Sequence, residues 1–491
     1  MSEIQAPPDI EPRLSSGAMK LRHRKLNRLP WDHSGKHPGS PIFWNVVRLM
    51  IGVGLRYIFR KRELDKIPDF EGGRILSAIH INGLVDPSLM VAAQDRRIIS
   101  MGRHDLMTMP LIGWITRRMG SQPVIRKPEI ELGVSDEKYA KKINDRTLLT
   151  MTSCIAAGYN ALVMPEGKSH QDSKLHRFKT GPMRFALNAA TLAQHKGQSS
   201  PALQPVGLHY RCHFWFRTDV FVEFGTPIEV MAPNVEGIGE ALSSGKWLEP
   251  PSTEVNSLKE ELFSALSKIT PDAPDWKTYR AWHLIAHAKA NKDRKPLTTF
   301  KQEVLGARCV RDSILRQDSV DKLMQPSIQA AEILHSNGLD GRALTSLENA
   351  NKRPWIKAIA GIFLMIIASP VSVMSTGLQA LAAVVFAERT DEGVDARTTY
   401  YLLAGMFSPV LFWPPIAFAI SLLVHPLTFA TPFLTVLIMT LFHLSNQIFL
   451  FGYDLWVDYV FWRKAHLLST SDQGHKLRTL MKEVSSNLNL L

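Results

Sequence analysis

The sequence predicts an α/β domain that passes into a helical extension and ends in a C-terminal α-helical transmembrane region. Three observations predict it. Between residues 70 and about 230, short apolar runs rich in β-branched residues alternate with helical patterns, the signature of strands joined by crossover helices. From 236 to 353 such runs give way to amphipathic stretches such as VNSLKEELFSALSKI and the charged AKANKDRKP. After Lys357 come two runs without Asp, Glu, Lys or Arg, 30 residues from Ala358 to Ala387 and 56 from Thr398 to Tyr453. A bilayer crossing takes about 20 apolar residues, so these runs have room for about three helices.

Composition sets the outer bounds. A chain of 491 residues exceeds the roughly 250 to 300 that one hydrophobic core serves, so several structural units are expected. Hydrophobic residues at 45% and charged residues at 21% exclude a disordered polyelectrolyte. The net charge of +13 and pI near 9.6 point to an anionic partner. Cys154, Cys212 and Cys309 stand too far apart for a disulfide framework or a C-x-x-C pair, which fits a thiol-reducing compartment.

Taken in order, residues 1–40 form a basic arm carrying Lys20, Arg22, Arg24, Lys25 and Arg28, with no apolar core of a secretory leader, and are expected on the cytoplasmic side. Residues 41–62 hold an amphipathic helix, Ile42 to Phe59. At 100° per residue Asn45, Arg48, Gly52 and Arg56 share an arc of about 80°. The helix lies in the bilayer interface, with Arg60, Lys61 and Arg62 on anionic headgroups, or packs on the domain as an ordinary amphipathic helix. Residues 63–235 are the α/β domain, with strands at RILSAI, ALVM, LQPVGLHY and DVFVEFG and a helix from Gly181 to His195. Residues 354–462 are the transmembrane helices and 463–491 a basic tail.

Flanking charge supports insertion. Lys352, Arg353 and Lys357 precede the first apolar run and Arg463 and Lys464 follow the last, while the connecting ERTDEGVDAR carries four acids against two arginines and is expected outside. Three crossings would place the basic tail opposite the α/β domain, against the same charge rule, so the count stands between two and four. Pro414, Pro415, Pro426 and Pro432 divide the second run, and a re-entrant hairpin is an alternative to full crossings.

Two segments carry chemistry. HINGLVDP, His80 to Pro87, follows the strand RILSAI. A His at a strand end with a carboxylate six positions on can curl back so that Asp86 accepts from one ring nitrogen and leaves the other basic, a general base with its orienter. PEGKSH, Pro165 to His170, follows the strand ALVM and places Glu166 where α/β sheets bind ligands, with Gly167 allowing close backbone approach. Lys168, Ser169, His176 and Lys179 add donors suited to an anionic substrate.

Taken together, HINGLVDP, GRHDLMTMPLIGWITRRMGSQPVIR, MPEGKSHQDSKLHRFKTGPMRFAL and LQPVGLHY with VFVEFGTPI resemble, in order and spacing, the four motif blocks of the glycerolipid acyltransferase family. The resemblance spans Arg74 to about Ile228. It is nearest to glycerol-3-phosphate and dihydroxyacetone-phosphate acyltransferases of the fungal and related bacterial type. Ile79 stands where the family's first block usually has Asn, five residues instead of four separate His80 from Asp86, and Lys168-Ser169-His170 replaces the common Thr-Arg.

The resemblance implies an α/β acyltransferase domain in which His80 deprotonates the acceptor hydroxyl and Asp86 orients it. It implies that Arg126 binds phosphate and that Glu166 and Gly167 serve acceptor binding and site organisation. The acyl donor is a thioester, acyl-CoA or acyl-carrier protein, acting as co-substrate; neither a metal nor another cofactor is implied. The acceptor is glycerol 3-phosphate or, in the rival reading, lysophosphatidic acid; a catalytically silent membrane scaffold is the third reading. The expected location is an integral membrane protein of the bacterial inner membrane or endoplasmic reticulum, with its catalytic domain cytoplasmic. The residues agree: no Ser or Cys nucleophile elbow is present, His209 and His213 lack further ligands for a metal, and no aromatic-basic module for nucleic acid appears. Because the motif blocks end by Ile228, the C-terminal helices are not expected to be needed to assemble the chemistry.

Overall fold

The computed structural model describes residues 17–490 except 28, 30–32, 318–320, 349–353, 391–396 and 425–427. Arg28, Lys352, Arg353, Asp391, Glu392, Asp395, His425 and Pro426 therefore lie outside the described residues, as does most of the basic arm's first half.

Eight strands form one mixed sheet: β1 Phe59–Leu64, β2 Arg74–Ala78, β3 Ile98–Arg103, β4 Gln122–Val124, β5 Asn160–Val163, β6 Ala202–Tyr210, β7 Thr218–Phe224 and β8 Ile228–Glu229. Their order is β1-β7-β6-β2-β5-β3-β4, with β8 on β6. β6, β2, β5, β3 and β4 run parallel, β7 is antiparallel to β6, and β1 is parallel to β7. The carboxyl ends of the five parallel strands therefore share one edge, and the segments carrying His80, Arg126 and Glu166 each leave the sheet there.

Alternation along each strand builds two cores. Leu76 and Ala78 of β2, Leu162 of β5 and Val206 and Leu208 of β6 face helices α1 (Pro41–Ile58) and α2 (Val85–Ala92). Ile75, Ala161, Val163 and Leu203 face the opposite layer, in which α3 (Glu137–Ala156), α4 (Gly181–His195) and α5 (Ser252–Ile269) contribute Met151, Ile155, Phe185, Ala189, Leu262 and Leu266. Asp136 starts α3 by accepting from Tyr139 N at 2.7 Å. The α/β unit thus begins at α1 and ends with α5, wider at both ends than the 63–235 expected from sequence.

α1 is a layer of this sandwich. Ser40 caps it, Pro41 fills its first position, and Trp44, Val47, Ile51, Leu55 and Ile58 are buried. At about 1.5 to 3 kcal/mol per side chain the five contribute roughly 8 to 15 kcal/mol as an upper figure, so α1 is no detachable interface helix. Its other side leaves Ile42, Val46 and Leu49 exposed. The basic flank is corrected too: residues 59–64 are an edge strand, Arg60 pairs with Asp458 and Arg62 donates to Gly52 O at 3.4 Å instead of meeting headgroups.

The helical extension comprises α6 (Trp276–Lys292), α7 (Phe300–Ile314), α8 (Asp321–Ser336) and α9 (Arg342–Glu348). Three long apolar helices follow, α10 (Pro354–Arg389), α11 (Arg397–Val424) and α12 (Thr431–Ser469), each with the length and composition to cross a membrane. The last helix, α13 (Asp472–Asn487), buries Leu477, Leu480 and Val484 in the core formed by α6, α7 and α8. Within the expected basic tail, 463–491, α13 is a packed part of the helical extension.

α10 is bent. It runs antiparallel to α12, with Lys357 beside Asp458, Gly361 against Gly452, and Ser372 bonded to Ser445. It also runs antiparallel to α11, with Thr376 accepting from Trp413, Phe386 on Tyr400, and Glu388 near Arg397 at 3.9 Å. Yet α11 and α12 are antiparallel to each other, Trp413 lying on Phe442 and Ser421 bonding Thr435. A straight helix cannot oppose both, so the two arms of α10 fold back at the π-helical turn Val373–Gly377, just after Pro370. Both ends of α10 consequently lie beside the α/β domain. That end includes Glu388 and Arg397, the described margins of the acidic connection.

The C-terminal helices are also integral to the α/β unit. Leu402 and Met406 of α11 belong to the core under α1, where Gly54 lies in close contact with both. The expectation that the C-terminal helices are not needed to assemble the chemistry stands beside this shared core.

Candidate active site

Asp86 sits in the first turn of α2, completely buried. Its Oδ2 accepts from Ile81 N and Asn82 N, both at 2.8 Å, and from His80 Nδ1 at 2.9 Å; its Oδ1 accepts from the Tyr210 hydroxyl. The chain between His80 and Asp86 folds back because Gly83 adopts φ +37, and the Asp86 backbone N then bonds Asn82 O. Backbone donors fix the carboxylate, and the carboxylate fixes the imidazole: with Nδ1–H donating, Nε2 holds the lone pair. The His80 side chain keeps 23% of its surface exposed, an arrangement that can serve general-base chemistry.

Glu166, 1% exposed, braces this loop from β5. Its Oε1 accepts from His176 N at 2.7 Å, and its Oε2 from His170 Nε2 at 3.0 Å and His80 N at 3.4 Å. Both oxygens accept internal hydrogen bonds, so Glu166 ties two loops together. Gly167 turns the chain at φ +74, and a side chain there would meet the Lys179 stem at 3.0 Å. Lys179 N donates to Pro165 O at 2.7 Å, which folds the Lys168–Ser169 segment and Lys179 onto one side of the turn.

Arg126 leaves β4, three strands from β2, and its guanidinium is engaged. Nε and Nη2 donate to Glu129 Oε1 at 2.9 and 2.7 Å, and Glu129 is fully buried. At about 4.8 Å between strands it starts some 14 Å from the His80 strand, and any anion it binds would share it with Glu129.

His170, Asp172 and His176 can each turn one donor atom toward a common point, the donors lying within 4.8 Å of one another. The geometry is better explained without an ion. His170 Nε2 binds Glu166, its Nδ1 accepts from Asp172 N at 3.2 Å, and His176 Nε2 bonds Asp172 at 2.7 Å. The two rings stack at 3.8 Å and 7°, which sets their lone pairs in parallel planes that do not converge.

Two features escaped sequence reasoning. Tyr210, at the end of β6, is buried; burial, and then the Asp86 carboxylate, push its phenol well above the usual value, so it remains a donor. Its position at the carboxyl end of LQPVGLHY was the available signal. Asn82 binds three ways: N to Asp86, Nδ2 to His213 O at 2.8 Å, and Oδ1 accepting from Thr398 at the start of α11. Leu84 N donates to Thr399 Oγ1 at 3.0 Å. Cys212 lies nearby, but burial pushes its thiol up to about 12, which leaves it protonated and a poor nucleophile.

Residues 58–208 match the model of the family described as Acyltransferase. Glycerol-3-phosphate O-acyltransferase 2 of Saccharomyces cerevisiae is 29% identical over 142 residues, 29% of this chain and 18% of that protein. An uncharacterized acyltransferase of Schizosaccharomyces pombe is 29% identical over 133 residues, 27% of this chain and 17% of that protein. The matches thus span less than a fifth of either relative. Among solved structures, the 1-acyl-sn-glycerophosphate (LPA) acyltransferase PlsC of Thermotoga maritima aligns over 45% of this chain and 79% of its own, with 17% identity and a TM-score of 0.27.

Proposed function

We propose that the chain, whose residues 58–208 match the Acyltransferase family model, is a glycerolipid acyltransferase that transfers a fatty acyl group from a thioester to glycerol 3-phosphate at a membrane surface. The observation that carries the reading is His80 Nδ1 held at 2.9 Å by a buried Asp86 that two backbone amides fix in place.

His80 Nε2 takes the proton of the acceptor hydroxyl as its oxygen attacks the thioester carbonyl carbon. Asp86, bonded to Nδ1, stabilises the imidazolium. As the tetrahedral intermediate collapses, the carbon–sulfur bond breaks and the thiolate leaves with the proton from Nε2. Lys168, Ser169, Lys179 and Arg126 supply the cationic and polar surface for the phosphate; Arg126 does so while shared with Glu129.

The proposal includes a membrane orientation, which the bend of α10 supports. With α11 and α12 crossing and α10 re-entrant, both domains and the residues Lys357, Arg463 and Lys464 fall on one side, which the positive-inside rule makes cytoplasmic. An even number of crossings supports this arrangement and removes the conflict that three crossings create.

The test is the purified full chain in vesicles, given labelled glycerol 3-phosphate, dihydroxyacetone phosphate or lysophosphatidic acid, each with acyl-CoA or acyl-carrier protein. Acylation of glycerol 3-phosphate above the other acceptors, lost by about 10² to 10⁴-fold in His80→Ala, is expected. Acylation of lysophosphatidic acid alone would establish the rival acceptor, and no turnover with any acceptor would refute the enzyme reading.

A further inference from the structure

The loop between β6 and β7 carries His213-Phe214-Trp215-Phe216, four consecutive aromatic or imidazole side chains, with Trp215 51% and Phe216 38% exposed. Two large exposed aromatics on a soluble face are costly unless something covers them. What lies beside them indicates the cover. Phe216 packs on Tyr401 of α11 at 5.8 Å and on Tyr453 of α12 at 6.0 Å. Those tyrosines stand where the two crossing helices meet the α/β domain, and α12 continues there through Trp456, Tyr459 and Trp462. Tyr and Trp gather at the level of lipid headgroups, so the loop tip shares the depth of an aromatic belt.

The tip is held rigidly. Trp215 N donates to Cys212 O at 3.4 Å, and the chain turns at Arg217 with φ +57. The Arg217 guanidinium, 9% exposed, binds Asp454 and the carbonyls Arg56 O and Phe59 O. The base of the same loop reaches the catalytic turn, because His213 O accepts from Asn82 Nδ2 at 2.8 Å.

We infer that residues 213–216 are a membrane-seated loop whose Trp215 and Phe216 enter the headgroup–acyl boundary, and that the acyl chain of a lipid-borne substrate reaches His80 along it. Bilayer contact rests on the loop's own geometry; the identity of the passing chain rests on the proposed acyltransferase reading. Thr398, bonded to Asn82, and Tyr401, under Phe216, are three residues apart, about 4.5 Å of helix rise, so the catalytic turn stands within roughly one turn of the belt.

The full chain is reconstituted in phosphatidylcholine and phosphatidylglycerol vesicles whose acyl chains carry bromine, and its tryptophan emission is compared with that of Trp215→Phe. The difference emission, due to Trp215, should be quenched by the brominated chains and shielded from aqueous iodide. Emission open to iodide and untouched by bromine would overturn the inference. Trp215→Ser with Phe216→Ser should raise the KM for a long-chain acyl donor several-fold more than for a short, water-soluble one; equal effects on both would overturn the portal role. Loss of all acyl transfer in the unaltered chain would count against the enzyme reading and leave the quenching result standing.

Discussion

Replacing Arg217 tests how firmly the membrane helices are fastened to the α/β domain. Its guanidinium and the Asp454 carboxylate are each 9% exposed, with Nε to Oδ1 at 2.9 Å, while Nη1 reaches Arg56 O at 2.9 Å and Phe59 O at 2.8 Å. Arg217→Ala leaves a buried carboxylate uncompensated, which costs about 3 to 5 kcal/mol. It also strips a cation from the carboxyl end of α1. Asp454→Ala leaves Arg217 its carbonyl partners and should cost less, about 2 kcal/mol. The double substitution should therefore cost clearly less than the sum, with a coupling above about 1.5 kcal/mol. Position 217 sits at φ +57, so Arg217→Gly should retain about 1 kcal/mol more stability than Arg217→Ala. Urea midpoints from pulse proteolysis in detergent measure all four variants. Additive single effects, or a loss below 1 kcal/mol for Arg217→Ala, would refute the buried clamp.

Thr398→Val should cut kcat by roughly tenfold with little change in thioester KM, and Thr398→Ser should restore it, because only the hydroxyl reaches Asn82; equal losses in both would point to packing alone. Acid should loosen the seam between sheet and helical extension. Although burial opposes it, hydrogen bonds from His209 and Arg308 hold Glu223 at about 2, and the neighbouring His287 imidazole, at 3.3 Å, with bonds from Arg211 does the same for Glu303. Both folded-state values lie below the ordinary 4.5, so this stability is full above pH 4.5 and disappears as pH falls toward 2, at most about 3 kcal/mol for each group. Urea midpoints between pH 7 and 3 should show the fall, and Glu223→Gln with Glu303→Gln should flatten it. For orientation, a membrane-impermeant thiol reagent should label Glu388→Cys and Arg478→Cys from the side of the α/β domain and Phe429→Cys from the opposite side; labelling of 388 with 429 would make α10 a full crossing.

The parts of the fold that were legible in sequence are those set by local pattern. α4 matches Gly181 to His195 to the residue because a continuous apolar helix face announces itself, and the His80–Asp86 pair was readable because only six positions separate its members. β1 was not: FRKREL places three cations on an edge strand, whose partner β7 begins at Thr218. α13 was misread from its charge, although Leu477, Leu480 and Val484 recur at helical spacing. The bend in α10 needed the pairing of three helices, since Pro370 and Gly377 alone do not distinguish a kink from a crossing. Tyr210 and Thr398 join Asp86 and Asn82 across 124 and 316 positions, distances at which no single-sequence pattern signals contact.

That last separation also sets a schedule. A ribosome adding about 5 to 20 residues per second takes roughly 15 to 60 s to travel the 316 positions from Asn82 to Thr398. In the later part of that interval, once Glu229 has completed the sheet, the nascent α/β unit still lacks Thr398 and the Leu402 and Met406 that close the core under α1. Its exposed underside is then an unfinished apolar surface waiting on membrane insertion. A chain released before α11 therefore carries that apolar surface bare and is a client for chaperones and proteases.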